Sequence, residues 1–96
     1  MLQLKAVDFA QGSIVESGIA LANEIVGKLR AGEEITVSFA GMRGLSSSYF
    51  NPVLNTVKAR LGLDVIGQRL IFDFVSAAQQ AVFNRSLDAV KNADPH

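Results

Sequence analysis

Three times along the chain a short stretch of alternating apolar and polar residues gives way to a longer stretch whose apolar residues recur every three or four positions. Strand side chains repeat with a period of two and helical side chains with a period of 3.6, so each switch marks a strand followed by a helix. The order is therefore β-α-β-α-β-α. Neighbouring parallel strands need a crossover, and a helix usually supplies it, so this order predicts an α/β layer built on a mainly parallel sheet.

The three strands are read at Leu2 to Phe9, in "EITVSF" (34–39) and in "RLIFDF" (69–74). Ser13 and Glu16 form a Ser-x-x-Glu capping box, after which Val15, Ile19, Ala22, Ile25, Val26 and Leu29 trace one face of a helix that Gly32 stops. Val53, Leu54, Val57 and Leu61 give the second helix its face, with Lys58 and Arg60 off it and Gly62 at its end. Ser76 and Gln79 repeat the capping logic before Val82, Phe83, Leu87 and Val90. "LDVIG" (63–67) either adds a short strand or approaches the third one, so the sheet is expected to have three to five strands, mainly parallel or mixed. Strand order stays open. If the strands advance in one direction, right-handed crossovers put successive helices on one face, and Thr36 and Ser38 hint that the other is thinly covered.

Ninety-six residues make one domain with one core, spanning 1–96, and the polar tail at 92–96 is expected to fray. Lysine plus arginine balance aspartate plus glutamate, which argues against nucleic acid or an anionic membrane as the main partner. Without cysteine there is no disulfide, thiolate nucleophile or cysteine-based metal site. The N-terminus carries no apolar signal region, and no apolar run approaches the roughly 20 residues that span a bilayer. The cytoplasm is the expected location.

Catalytic chemistry finds little support. A serine nucleophile needs a base, and the only histidine is His96, in the tail. Lys58 is a conceivable serine partner, but no spacing favours it. No histidine pair or carboxylate cluster has ligand spacing, and Gly41-Met42-Arg43-Gly44 lacks the Gly-Lys-Ser/Thr ending of a phosphate-gripping Walker loop. Glu33-Glu34 reads as a solvated turn. Asp73, flanked by Phe72 and Phe74, reads as a strand-end carboxylate satisfied by a helix N-terminus, with a partner contact as the alternative. No enzyme activity, metal or cofactor is expected.

The serines at 46–48 stand out against this background. Ser46, Ser47 or Ser48 can cap the second helix, which contributes about 1 kcal/mol. Alternatively Asn51 caps and Pro52 takes the first helical position, leaving the serines in a loop at the carboxyl end of a strand, where open parallel sheets place their working loops. No acidic residue occurs from Ile35 through Leu63, whereas Arg43, Lys58 and Arg60 do. A phosphate on one of these serines would meet a helix N-terminal dipole and Arg43.

"ITVSFAGMRGLSSSYFNPVL" resembles the central strand-loop-helix of STAS domains, the fold of bacterial anti-sigma factor antagonists. Aligned without gaps to their Asp-Ser-Ser-Gly-Leu motif, Ser46 falls on the aspartate, Ser47 on the serine phosphorylated in the antagonists, Ser48 on the second serine and Tyr49 on the glycine. The chain is more similar to the STAS-like branch of unknown function, in which serines precede an aromatic residue. That resemblance runs through the first helix, "EITVSFAG", "LSSSYF", the Leu61-Gly62 step and the final strand and helix. Pro52 departs from it where an acidic residue is common, as does Glu16-Ser17 where an arginine is expected.

The resemblance implies a small non-enzymatic STAS-like module that binds protein. In the antagonists the partner is a serine kinase of histidine-kinase-like ATPase fold; a signalling domain is the wider expectation. Ser47, with neighbours Ser46 and Ser48, is the phosphorylation candidate, and Arg43, Leu45, Tyr49, Phe50 and Asn51 are the expected contact residues. The alternative is a small-molecule or nucleotide-sensing module holding an anion at the serine loop. An open sheet has bare edges, so a homodimer is also compatible with the chain.

Overall fold

A computed structural model describes residues 2–10, 12–42 and 45–92. The expected order is observed: strands β1 (Leu2–Lys5), β2 (Ile35–Ser38) and β3 (Leu70–Asp73) alternate with helices α1 (Ile14–Arg30), α2 (Ser47–Arg60) and α3 (Ala77–Asn92). The strands form one parallel sheet in the order β1-β2-β3, with Leu2, Ile35 and Leu70 in register at one end and Lys5, Ser38 and Asp73 at the other. The fold is α/β, as the periodicity predicts. The first strand is shorter than expected, because Ala6–Phe9 coils into a 3-10 turn that buries Ala6. "LDVIG" adds no full strand: Leu63–Val65 is a 3-10 turn, and Ile66 makes a single parallel bridge to Leu70.

Because the strands advance one way, crossovers of the usual hand carry every helix to the same side of the sheet. The packing agrees, with α1 against α2 and α2 against α3. Leu4, Ile35, Val37, Leu70 and Phe72 face the core, while Gln3, Lys5, Ile71 and Asp73 are exposed on the alternate positions. Most parallel sheets are covered on both faces. Here the second face carries no helix among the described residues.

The helix boundaries follow their caps. Ser13 accepts from the Glu16 N–H and the Glu16 carboxylate accepts from the Ser13 N–H, completing the capping box. Gly12 makes room for it: its φ of 68° suits glycine, and a Cβ there would fall 2.5 Å from the Glu16 carboxylate. Hydrogen bonding to the carboxylate, first from the Ser13 N–H and then from the Ser13 hydroxyl, lowers the Glu16 pKa below the ordinary 4.5. A depressed value means that the stabilisation is present at higher pH and lost as pH falls through the folded value. Thermal melts of wild type and Glu16→Gln should therefore differ most near neutrality and converge as pH falls through the lowered folded value; a constant difference would show that the charge is not involved. At the other end of α1 the Arg69 guanidinium donates to the carbonyls of Leu29 and Glu33, at 2.6 and 3.1 Å, tying the helix end to β3.

The buried face of α1 differs from the expected one. Ala22, Ile25, Val26 and Leu29 are buried as read, but Val15 and Ile19 are exposed, and Ser17, Gly18 and Leu21 complete the stripe. The cause is Gly18, where α2 approaches so closely that the helix turns this small residue inward. A Cβ on Gly18 would lie 2.6 Å from the Tyr49 carbonyl oxygen.

At the carboxyl end of the sheet the core is aromatic. Phe39 stacks on Phe74, with centroids 5.4 Å apart and planes 4° from parallel, and meets Phe50 and Tyr49 edge to face. Phe72 and Phe83 close the cluster, their centroids 4.8 Å apart. Such ring pairs contribute roughly 0.5–1.5 kcal/mol each beyond area burial.

Candidate functional site

All three strand-to-helix connections emerge at the same end of a parallel sheet, directly above the aromatic cluster. The middle connection carries the serines, and here the structure decides between the two starts read for the second helix. Helix α2 begins at Ser47, a turn earlier than an Asn51 cap would place it. Ser46 is the N-cap by backbone geometry, its carbonyl accepting from the Tyr49 and Phe50 N–H groups, but its hydroxyl makes no capping hydrogen bond. The serines thus occupy the cap and first turn of a helix. Pro52 lies inside that helix, costing it the N–H that would bond the Ser48 carbonyl.

What offsets that loss is packing. Starting α2 early puts Tyr49 and Phe50 in helical phase with Val53, Leu54 and Val57, and all five are buried. Pro52 itself lies against Gly18, its Cγ 3.1 Å from where a Cβ on that glycine would stand. The expected contact residues therefore separate. Tyr49 and Phe50, only 2% and 0% exposed, belong to the core and cannot form a contact surface. Asn51 is half-buried, its Oδ1 enclosed without a partner among the described residues. Leu45 and Ser46 are half-buried, and Ser47 and Ser48 are exposed. Arg43, Gly44 and residues 93–96, with His96, lie outside the described residues, while Asn92, read as part of the tail, closes α3.

Two grooves flank the serine turn and share Met42 and Leu45 as a common wall. One, of about 230 Å³, runs between the β1–α1 and β2–α2 connections and is lined also by Ala10, Gly12, Ile14, Ser17 and Tyr49. The other, of about 420 Å³, lies towards α3 against Val75, Ser76, Ala78, Gln79 and Val82. Gln79 holds this second groove in shape. Its N–H donates to the Ser76 hydroxyl, its carbonyl oxygen accepts from the Val75 N–H, and its amide donates to the Met42 carbonyl at 3.4 Å. The expected Ser76–Gln79 box is thus reciprocated one residue early, at Val75. Ile14 and Val75, 52% and 58% exposed, are large apolar residues on these rims. Sequence reasoning did not select them because each lies just outside a periodic run.

The remaining polar candidates do not converge on the serines. The Lys58 ammonium donates to the Val90 carbonyl at 2.8 Å, and Lys58 follows Ser47 by about 16 Å of helix. No serine–lysine pair forms. Asp73 is exposed; its backbone carbonyl accepts from the Phe39 N–H, but its carboxylate makes no hydrogen bond or ion pair among the described residues, so no helix N-terminus satisfies it. Burial pushes the Tyr49 hydroxyl pKa up to about 12, and that hydroxyl has no hydrogen-bond partner among the described residues. No cluster of three or more metal-ligating side chains occurs among the described residues. None of the described helices is long and apolar enough to cross a membrane.

No family model, curated protein or solved structure matches the chain.

Proposed function

We propose that the chain is a STAS-like protein-interaction module whose contact surface is the serine turn with its two flanking grooves, and that Ser47 is its switch. The observation that carries this reading is the state of the first turn of α2. Ser47 and Ser48 are exposed there, no acidic side chain shares the turn, and the Ser46 hydroxyl leaves the helix end uncapped. A phosphate on Ser47 would sit at the positive end of a helix dipole, where it is tolerated without melting the helix. It would also place nearly two negative charges between apolar rims, disfavouring a partner that covers them.

The partner is a serine kinase of histidine-kinase-like ATPase fold, or a signalling domain with an apolar contact face, and the module itself catalyses nothing. The resemblance at 35–54 supports this reading, since it aligns Ser47 with the modified serine of the antagonists. Ser47→Asp should keep the wild-type melting temperature within a few degrees yet weaken partner capture at least tenfold, measured by calorimetric titration. Equal affinity of the two proteins would remove Ser47 from the role.

A further inference from the structure

A parallel sheet is seldom left bare, because crossovers ordinarily carry helices to both of its faces. Here one face has no cover among the described residues, and its side chains are Gln3 and Lys5 from β1, Thr36 and Ser38 from β2, and Ile71 and Asp73 from β3. The parallel register sorts them into two rows, Gln3-Thr36-Ile71 and Lys5-Ser38-Asp73. In the second row a cation and an anion stand on the two outer strands, about 10 Å apart across two strand spacings. Lys5 and Asp73 form no ion pair with each other or with another described residue. Between them Ser38 stays low, its hydroxyl accepting from the Ala40 N–H. Ile71, 41% exposed, is the one large apolar side chain of the six.

From this pattern we infer that the bare face docks on the same face of a second copy, about a two-fold axis that runs along β2. Such an axis exchanges left and right but keeps each row at its level. Lys5 then lies over the Asp73 of the second copy and Asp73 over its Lys5, so one row supplies two ion pairs, while the other row sets each Ile71 over a Gln3. On the axis β2 meets β2, where Thr36 and Ser38 are short enough for two sheets to approach to about 10 Å. A two-fold axis across the strands instead brings β1 over β1 and β3 over β3, and gives no contact between Lys5 and Asp73. The charges thus select one arrangement. Three strands of four residues make a small face, so the dimer is a weak one, in the class that buries less than about 1,200 Å². None of the six residues lines either groove, and the pairing does not depend on the role proposed for Ser47.

The test is sedimentation equilibrium of the full chain from about 10 μM to about 1 mM, the range in which a small interface comes apart. Wild type should pass from monomer to dimer across it. Lys5→Asp and Asp73→Lys each set like charges together at two places, so each should raise the dissociation constant at least tenfold. The variant carrying both substitutions restores the two ion pairs in reverse and should return to within about threefold of wild type. Both positions are exposed, so circular dichroism should show every variant folded. Should a charge reversal unfold the chain, Lys5→Gln and Asp73→Asn, which only remove the charge, take its place and should also weaken the dimer. The inference is overturned by a wild type that stays monomeric throughout, by a dimer that the single variants leave unchanged, or by a double variant as weak as the single ones. A dimer joined through sheet edges gives the second of these results.

Discussion

Replacing Phe50 with alanine should lower the stability of the domain by about 3–5 kcal/mol, the range for deleting a fully buried phenylalanine. Its ring is completely enclosed and meets Phe39, Tyr49, Phe74 and Phe83 edge to face, with centroids 5.4–6.2 Å away. A domain of this size holds roughly 5–14 kcal/mol in total, so the variant should sit near the edge of folding. At roughly 4–8 °C per kcal/mol, the melting temperature should fall by at least 12 °C. The same substitution distinguishes two meanings of an aromatic residue after a serine run. A contact residue would lose partner binding at constant stability, whereas Phe50 should lose stability first. A melting temperature within 3 °C of wild type would contradict the burial described above.

The second large effect is expected at Gly18. Its conformation is ordinary helix, so the argument is one of space: a Cβ would stand 2.6 Å from the Tyr49 carbonyl oxygen, 3.1 Å from Pro52 Cγ and 3.4 Å from Val53 Cγ2. The nearest atom is backbone, which cannot rotate away, so α1 and α2 must separate. Overpacking of this kind costs about 1–3 kcal/mol for one added group. Alanine recovers up to about 1 kcal/mol through helix propensity, so Gly18→Ala should lose about 1–2 kcal/mol. Valine adds two further methyl groups, and Gly18→Val should lose about 3 kcal/mol or more. Urea melts of the pair give the order directly. A Gly18→Ala protein more stable than wild type would mean that propensity outweighs contact and that the helices are not so close. Because the displaced helix begins at Ser47, Gly18→Val should also disturb the grooves.

Both cases show what periodicity reveals and what it misses. Element type was legible because the chain follows its local rules: Ile35, Val37 and Phe39 alternate, Gly32 and Gly62 take the positive φ angles that end helices, and Ser13 with Glu16 closes a capping box. The face of α1 was not legible, since Val15 and Ile19 satisfy the helical spacing as well as Ser17 and Gly18 do; only the neighbouring helix decides between them. The start of α2 was left open between the serines and Asn51 for the same reason. Asn51-Pro52 is a good local start signal, but burial of Tyr49 and Phe50 overrides it. At the site, Ser47 and Ser48 were recognisable as polar residues at the carboxyl end of a strand, whereas the groove walls come from three connections and cannot be read from one.

The sequential strand order also bears on how the chain reaches this structure. Leu2 pairs with Ile35, and Ile35 with Leu70, so every strand pairing joins residues about 35 positions apart and none is a hairpin. Closing each such loop costs about 3 kcal/mol before a single sheet hydrogen bond forms. The helices, by contrast, are held by local hydrogen bonds and close no long loop. The sheet is therefore expected to form after the helices. On these costs the α1–α2 contact at Gly18 is expected to form before the strands, which never touch it, come into line.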